Sequence, residues 1–307
     1  MPADTATNSY RIDPRLLQRL KTIELRSRYL VSGLYANRHR TAQLGASTEF
    51  VDHRAYRWGD ELRTIDWRVF GRTERFFVKR FEMEANLRVH ILLDTSASMR
   101  VEPDGDLPGK LDLACVIAGA IATMAVTQQN AAGLTCIGDR VEEHIPAKQG
   151  MAHLSLLYQH LSQPRGRGGG RFGELVSEVA DRMPPRGVTF VITDALDDVD
   201  ALTSALKGLR VRGHDVTLIH VLDRDEMHFP FDQLTQFRDP ESELRVVGDA
   251  SAMRQRYLSR LHAYLERIDS ACKPIHVDLV RLTNADDLTA LLPLHMLRRL
   301  MAGGARA

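Results

Sequence analysis

A chain of 307 residues, 44% hydrophobic and 26% charged, can bury a substantial core as one large domain with an appendage or as two domains. Its formal charge of +1 excludes a global field that would draw it to nucleic acid or an anionic membrane. Cys115, Cys136 and Cys272 are odd in number, far apart and set among apolar residues, so they read as reduced core thiols of a cytosolic protein. No apolar run approaches the ~20 residues that cross a bilayer. Met1 to Arg11 is polar and lacks the apolar core of a secretory signal, so a cytoplasmic location is expected.

Residues 1–12 and 302–307 read as disordered ends. Asp13-Pro14 supplies an N-cap and a first-turn proline, and Leu16, Leu17, Leu20, Ile23 and Leu25 recur at helical spacing, which predicts a helix to Arg28. In residues 44–83, glycines punctuate short β-like runs among Phe50, Tyr56, Trp58, Trp67, Phe70, Phe76, Phe77 and Phe81. Basic and acidic residues interleave across 50–88, which favours a compact aromatic core with a salt-bridged exterior over a base-stacking surface. Helix and aromatic segment together form an expected subdomain over 13–86.

From 87 to 301 strand and helix alternate. The expected strands are 88–94, 132–138, 188–193, 215–222 and 275–281, with 141–145 as an edge hairpin strand. The expected helices are 110–128, 151–162, 172–182, 199–211, 249–271 and 285–300. Strands spaced by helices imply right-handed crossovers, hence an α/β fold whose doubly wound, mostly parallel sheet is covered on both faces.

The first of these strands ends at once in Asp94-Thr95-Ser96-Ala97-Ser98, so Asp94, Ser96 and Ser98 fall at the carboxyl edge where such sheets place ligands. One carboxylate and two hydroxyls are hard donors suited to Mg²⁺, Mn²⁺ or Ca²⁺. Asp and Ser after a strand also serve as helix caps and turn residues. The distinguishing signal is a second apolar run, 188–193, that delivers Asp194 to the same edge.

Other motifs lack their context. Gly168-x-Gly170-x-x-Gly173 matches a dinucleotide fingerprint but follows a helix where the fingerprint requires a strand. Glu102, Asp104 and Asp106 alternate like a calcium loop, but Pro103 and Pro108 interrupt it. The histidines are scattered, with no His-Glu-x-x-His helix and no Gly-x-Ser-x-Gly elbow. A non-enzymatic protein is therefore expected. The alternative is a Mg²⁺-dependent phosphohydrolase using Asp94 and Asp194.

The pattern Asp94-x-Ser96-x-Ser98 with a later strand-end Asp194 resembles the von Willebrand factor A domain and its metal-ion-dependent adhesion site. More narrowly, residues 56–67 (Tyr-Arg-Trp-Gly-Asp-Glu-Leu-Arg-Thr-Ile-Asp-Trp), Val78-Lys79-Arg80-Phe81-Glu82 and Asp94 to Met99 resemble bacterial domain-of-unknown-function family 58. The resemblance implies a protein-interaction module that works as adaptor or co-chaperone with a MoxR-type AAA+ ATPase. It also implies that Asp94, Ser96, Ser98 and Asp194 hold Mg²⁺ or Mn²⁺, which an acidic partner residue completes, with Thr95, Met99 and Arg171 facing the partner. The family's Thr position holds Arg171, whose charge opposes a cation. Ion binding is therefore expected to be weak or absent, with Arg171 pairing Asp94 or Asp194 in its place.

Overall fold

The computed structural model describes residues 21–41, 53–55, 70–72, 75–79, 87–101, 105–164, 168–169, 171–241 and 244–288. Two compact units form, a larger one of Met1–Asn37 with Asn86–Ala307 and a smaller one of Arg38–Ala85. In the smaller unit, β1 (His53–Ala55) pairs antiparallel with β2 (Phe77–Lys79), and the rings of Phe70 and Phe76 stack with centroids 4.5 Å apart. The readings for both tryptophans, Phe50, Tyr56, Phe81 and the two chain ends lie outside the described residues.

The leading helix, α1, runs Ile23–Thr41, well past the expected end at Arg28. Ile23, Leu30 and Val31 are buried in the core of the larger unit, so this part of the helix belongs to the α/β body and not to the aromatic segment.

That body is a six-stranded sheet in the order β10-β7-β6-β3-β4-β5, where β3 is Arg88–Asp94, β4 Ala131–Ile137, β5 Val141–Lys148, β6 Gly187–Thr193, β7 His214–Leu222 and β10 Asp278–Thr283. All neighbours pair parallel except β4 and β5, which form the antiparallel edge hairpin. The helices are α2 (Lys110–Thr127), α3 (Met151–Leu161), α4 (Phe172–Arg182), α5 (Val199–Val211), the short α6 (Arg224–His228) and α7 (Ala250–Cys272).

Alternate side chains of β3 serve the two faces, as a strand's period of two requires. Val89, Ile91 and Leu93 join a core with α1, α2 and α3, while Leu92 joins the opposite core with α4, α5 and α7. The doubly wound, mostly parallel arrangement follows. Alpha2 is long and apolar enough to span a membrane by length and composition, yet only Asp112 and Thr127 along it escape burial in the sheet's core. Cys115, Cys136 and Cys272 are all free and buried.

Two local expectations change. The last strand begins at Asp278, three residues later than expected, because a turn after α7 takes up residues 273–276. A hairpin of β8 (Leu234–Arg238) and β9 (Arg245–Asp249) stands outside the main sheet and was not expected. Its signal is Asp239-Pro240 between two short runs. The expected helix 285–300 lies almost wholly outside the described residues.

Candidate functional site

Central position in a parallel sheet explains why β3 is a continuous apolar run, buried from Val89 to Asp94. Thr95 N–H donates to the Ile137 carbonyl at 2.8 Å, so the chain leaves the sheet only at Ser96. Ser96 N–H then donates to Asp94 Oδ1 at 2.9 Å, closing an Asx turn that aims the loop back across the strand end. Ser98–Arg100 form a 3₁₀ turn, and Ser96 Oγ and Ser98 Oγ lie 3.0 Å apart.

Beta6 neighbours β3, with Leu93 opposite Ile192, so Asp94 and Asp194 reach the same edge. Thr193 Oγ1 donates to Asp94 Oδ2 at 2.6 Å and itself accepts from Ala195 N–H at 2.9 Å. Burial, and after it the charge of Asp194, raises Asp94 to about 7 against the pull of the hydrogen bonds from Thr193 and Ser96. The four expected ligand residues therefore do come together. They are also closed off, at 3% exposure for Asp94, 4% for Ser96, 5% for Ser98 and 1% for Asp194.

Lys110, the first residue of α2, supplies the cation. Its Nζ donates to Asp194 Oδ2 at 2.8 Å and to Glu226 Oε1 at 2.6 Å, and its side chain is 1% exposed. Burial alone would drive this ammonium down, but Asp194 and Glu226 outweigh it and hold it up at about 12. A lysine in a first helical turn opposes the helix dipole, so its place here answers to the carboxylates. Asp194 Oδ1 meanwhile accepts from Leu196 N–H at 3.3 Å. Every oxygen of both aspartates thus already has a donor, and the positive charge an ion would bring is present as an ammonium.

Behind Glu226 the network continues. Asp223 and Glu226 form a capping box at α6, and Asn284 Nδ2 donates to Asp223 Oδ2 at 2.6 Å and to the Pro108 carbonyl at 3.1 Å. Loops after β3, β6, β7 and β10 are tied together here. Among the described residues no group of three His, Cys, Asp or Glu side chains is arranged to hold a metal ion.

Arg171 does not pair with either aspartate. It is exposed, and its Nε donates to Glu174 Oε2 at 2.8 Å on the next helical turn. Thr95 and Met99, expected to face a partner, are each 0% exposed and offer it no surface. Gly173 of the fingerprint-like run serves packing, since a Cβ there would lie 2.5 Å from the backbone nitrogen of Leu202 in α5.

Two contributors escaped the reading of the sequence. Lys110 was signalled only by a basic residue opening an otherwise apolar helix. The other is Glu241, at the turn between β8 and β9. Its carboxylate lies against Gly169, where a Cβ would come 2.1 Å from Oε1. Burial raises the Glu241 carboxyl, the neighbouring Ser98 pulls it back, and the charge of Asp194 adds to the rise.

The chain is similar to proteins of known sequence and of solved structure. Uncharacterized proteins of Mycobacterium bovis and Mycobacterium tuberculosis are each 28% identical over 221 residues, covering 71% of this chain and 68% of the relative. Among solved structures, an aerotolerance-related membrane protein from Bacteroides fragilis is similar at 16% identity and a TM-score of 0.48, over 70% of this chain and 98% of that one. The VWA domain of SpRpn10 is similar at 17% identity and a TM-score of 0.37, over 67% of this chain and 93% of that one. The family described as "Protein of unknown function DUF58" matches residues 52–265, well over half of the chain, and the chain belongs to that family.

Proposed function

We propose that this chain is a non-enzymatic protein-interaction module of von Willebrand factor A type, acting in the cytoplasm as adaptor or co-chaperone of a MoxR-type AAA+ ATPase. The partner presents an acidic residue to the edge where Asp94, Ser96, Ser98 and Asp194 converge, and because all four are buried the covering loop must open to admit it. One observation carries this reading: the strand-end aspartates and the serine loop converge at one edge, where Lys110 balances their charge. With Asp194 paired to an ammonium and Asp94 raised to about 7, the rim can accept a carboxylate without being neutralised by Mg²⁺ or Mn²⁺. Binding of these ions is weak or absent, and the cause is Lys110, not Arg171.

Among the described residues, nothing near the rim favours the phosphohydrolase. His220, the imidazole nearest Asp194, is buried, pushed down to about 4 by that burial, and held with Nε2 on the Asp194 carbonyl at 2.9 Å. It is a poor general base.

Calorimetric titration of the purified chain with a MoxR-type ATPase from the same organism tests the reading. Association is expected in EDTA as in Mg²⁺, weakened at least about tenfold by the double change Ser96→Ala, Ser98→Ala. No association, together with phosphoester turnover that Asp94→Asn abolishes, would replace it with the enzyme.

A further inference from the structure

We propose that an open cavity beside the strand-end loop docks a partner segment in which an acidic residue is flanked by apolar ones, with Arg100 taking the carboxylate. The inference deepens the reading of the chain as a protein-interaction module and rests on it, but it requires neither an ATPase nor entry to the aspartate edge.

The cavity, of about 560 Å³, lies between the start of α1, the first turns of α2 and the Ser98–Arg100 turn. Ile23, Met99, Leu111 and Leu161 supply apolar wall. Lys21, Arg26 and Arg100 bring positive charge to it, and Asp112 brings a carboxylate. Arg26 and Asp112 satisfy each other, because Arg26 Nη1 donates to Asp112 Oδ1 at 2.6 Å and to Oδ2 at 2.7 Å. No carboxylate among the described residues pairs with Lys21 or Arg100, so their charge is left for an incoming group.

Arg100 is set in advance. Its Nη2 donates to the Pro164 carbonyl at 2.7 Å and its Nε to the Thr95 carbonyl at 3.4 Å, which holds the guanidinium without cancelling its charge. A planar cation already fixed in place loses less freedom when a carboxylate arrives. Met99, 0% exposed, packs behind the cavity, and Val101, 46% exposed, extends the apolar surface beside it.

A free small molecule is best held in a pocket that encloses most of its surface. This cavity is open to solvent and its lining mixes polar with apolar surface, which suits a side chain that arrives on a larger protein surface. Cavity and aspartate edge share the Ser98–Arg100 turn, so a segment seated here touches the loop that covers Asp94.

Nitrogen–proton spectra of the full chain, titrated with the capped tripeptide Leu-Glu-Leu, test this. The amide signals of Arg100, Val101, Leu111 and Asp112 are expected to shift, with half-saturation at about 1 mM. Capped Leu-Gln-Leu should bind about tenfold more weakly, since it lacks the charge. Arg100→Gln is expected to weaken Leu-Glu-Leu by about tenfold and Lys21→Gln, which leaves the turn untouched, by about threefold. Arg256→Gln, an exposed change on α7, should leave binding as it is. If Leu-Glu-Leu moves none of these amides up to about 10 mM, or if Leu-Gln-Leu or the Arg100→Gln protein gives the same titration, the docking site is disproved. Shifts caused by the apolar anion anilinonaphthalene sulfonate and not by the peptide would assign the cavity to a small molecule and overturn the proposal as well. These outcomes involve no ATPase, so failure of the adaptor reading would show separately.

Discussion

Lys110 Nζ and Asp194 Oδ2 lie 2.8 Å apart, with both side chains 1% exposed, at the sheet edge where the strand-end aspartates meet. A buried pair of this kind adds little compared with apolar residues of the same shape, but breaking it leaves one charge stranded. Lys110→Met is therefore expected to lower unfolding stability by about 3 kcal/mol. Adding Asp194→Asn to it should recover part of that loss, because the stranded carboxylate is gone. Urea unfolding of the two single variants and the double variant reads the coupling directly.

Asp94 makes stability depend on pH, and the sign follows from its rise. Its folded value is about 7 and its ordinary value 3.8, so its contribution is full below the ordinary value and is lost as pH rises through 7. Wild type should therefore weaken relative to Asp94→Asn between pH 5 and pH 8, by on the order of 2 kcal/mol. Equal slopes for the two proteins in parallel unfolding curves would show that Asp94 is ionised throughout.

Gly173 packs α4 against α5, with the Leu202 backbone in the way of any Cβ. Backbone cannot yield as a flexible side chain does, so Gly173→Ala should cost about 2 kcal/mol in unfolding stability. A change below about 0.5 kcal/mol would mean that the helices separate freely.

Arg171 is exposed and, among the described residues, its side chain bonds along its own helix to Glu174. Arg171→Thr is expected to move stability by less than about 0.5 kcal/mol and to create no Mn²⁺ site. A calorimetric signal for Mn²⁺ in this variant alone would restore Arg171 as the residue that excludes the ion.

The reach of the sequence follows from the separations involved. Asp94, Ser96 and Ser98 share one strand end, and Asp194 repeats the same local signal, so periodicity and turn chemistry reveal all four. Lys110 meets Asp194 across 84 residues and Glu226 across 116, contacts that only the packing of α2 under the sheet edge creates. Arg171 was given their role because it stands in the glycine-rich run, whereas its first free partner is Glu174, one helical turn away. The β8–β9 hairpin escaped for another reason. Its strands are five residues long and carry exposed apolar side chains in place of a clean alternation, so no periodic signal rises above the loop. The central strands were legible because burial on both faces demands unbroken apolar runs.

An ammonium in place of a divalent ion is the claim on which the rest stands, and titration of the metal-free wild-type chain with Mn²⁺ in a calorimeter tests it most directly. No saturable heat is expected below about 1 mM Mn²⁺, because Lys110 already holds Asp194. Micromolar binding that disappears in Asp94→Asn would contradict it.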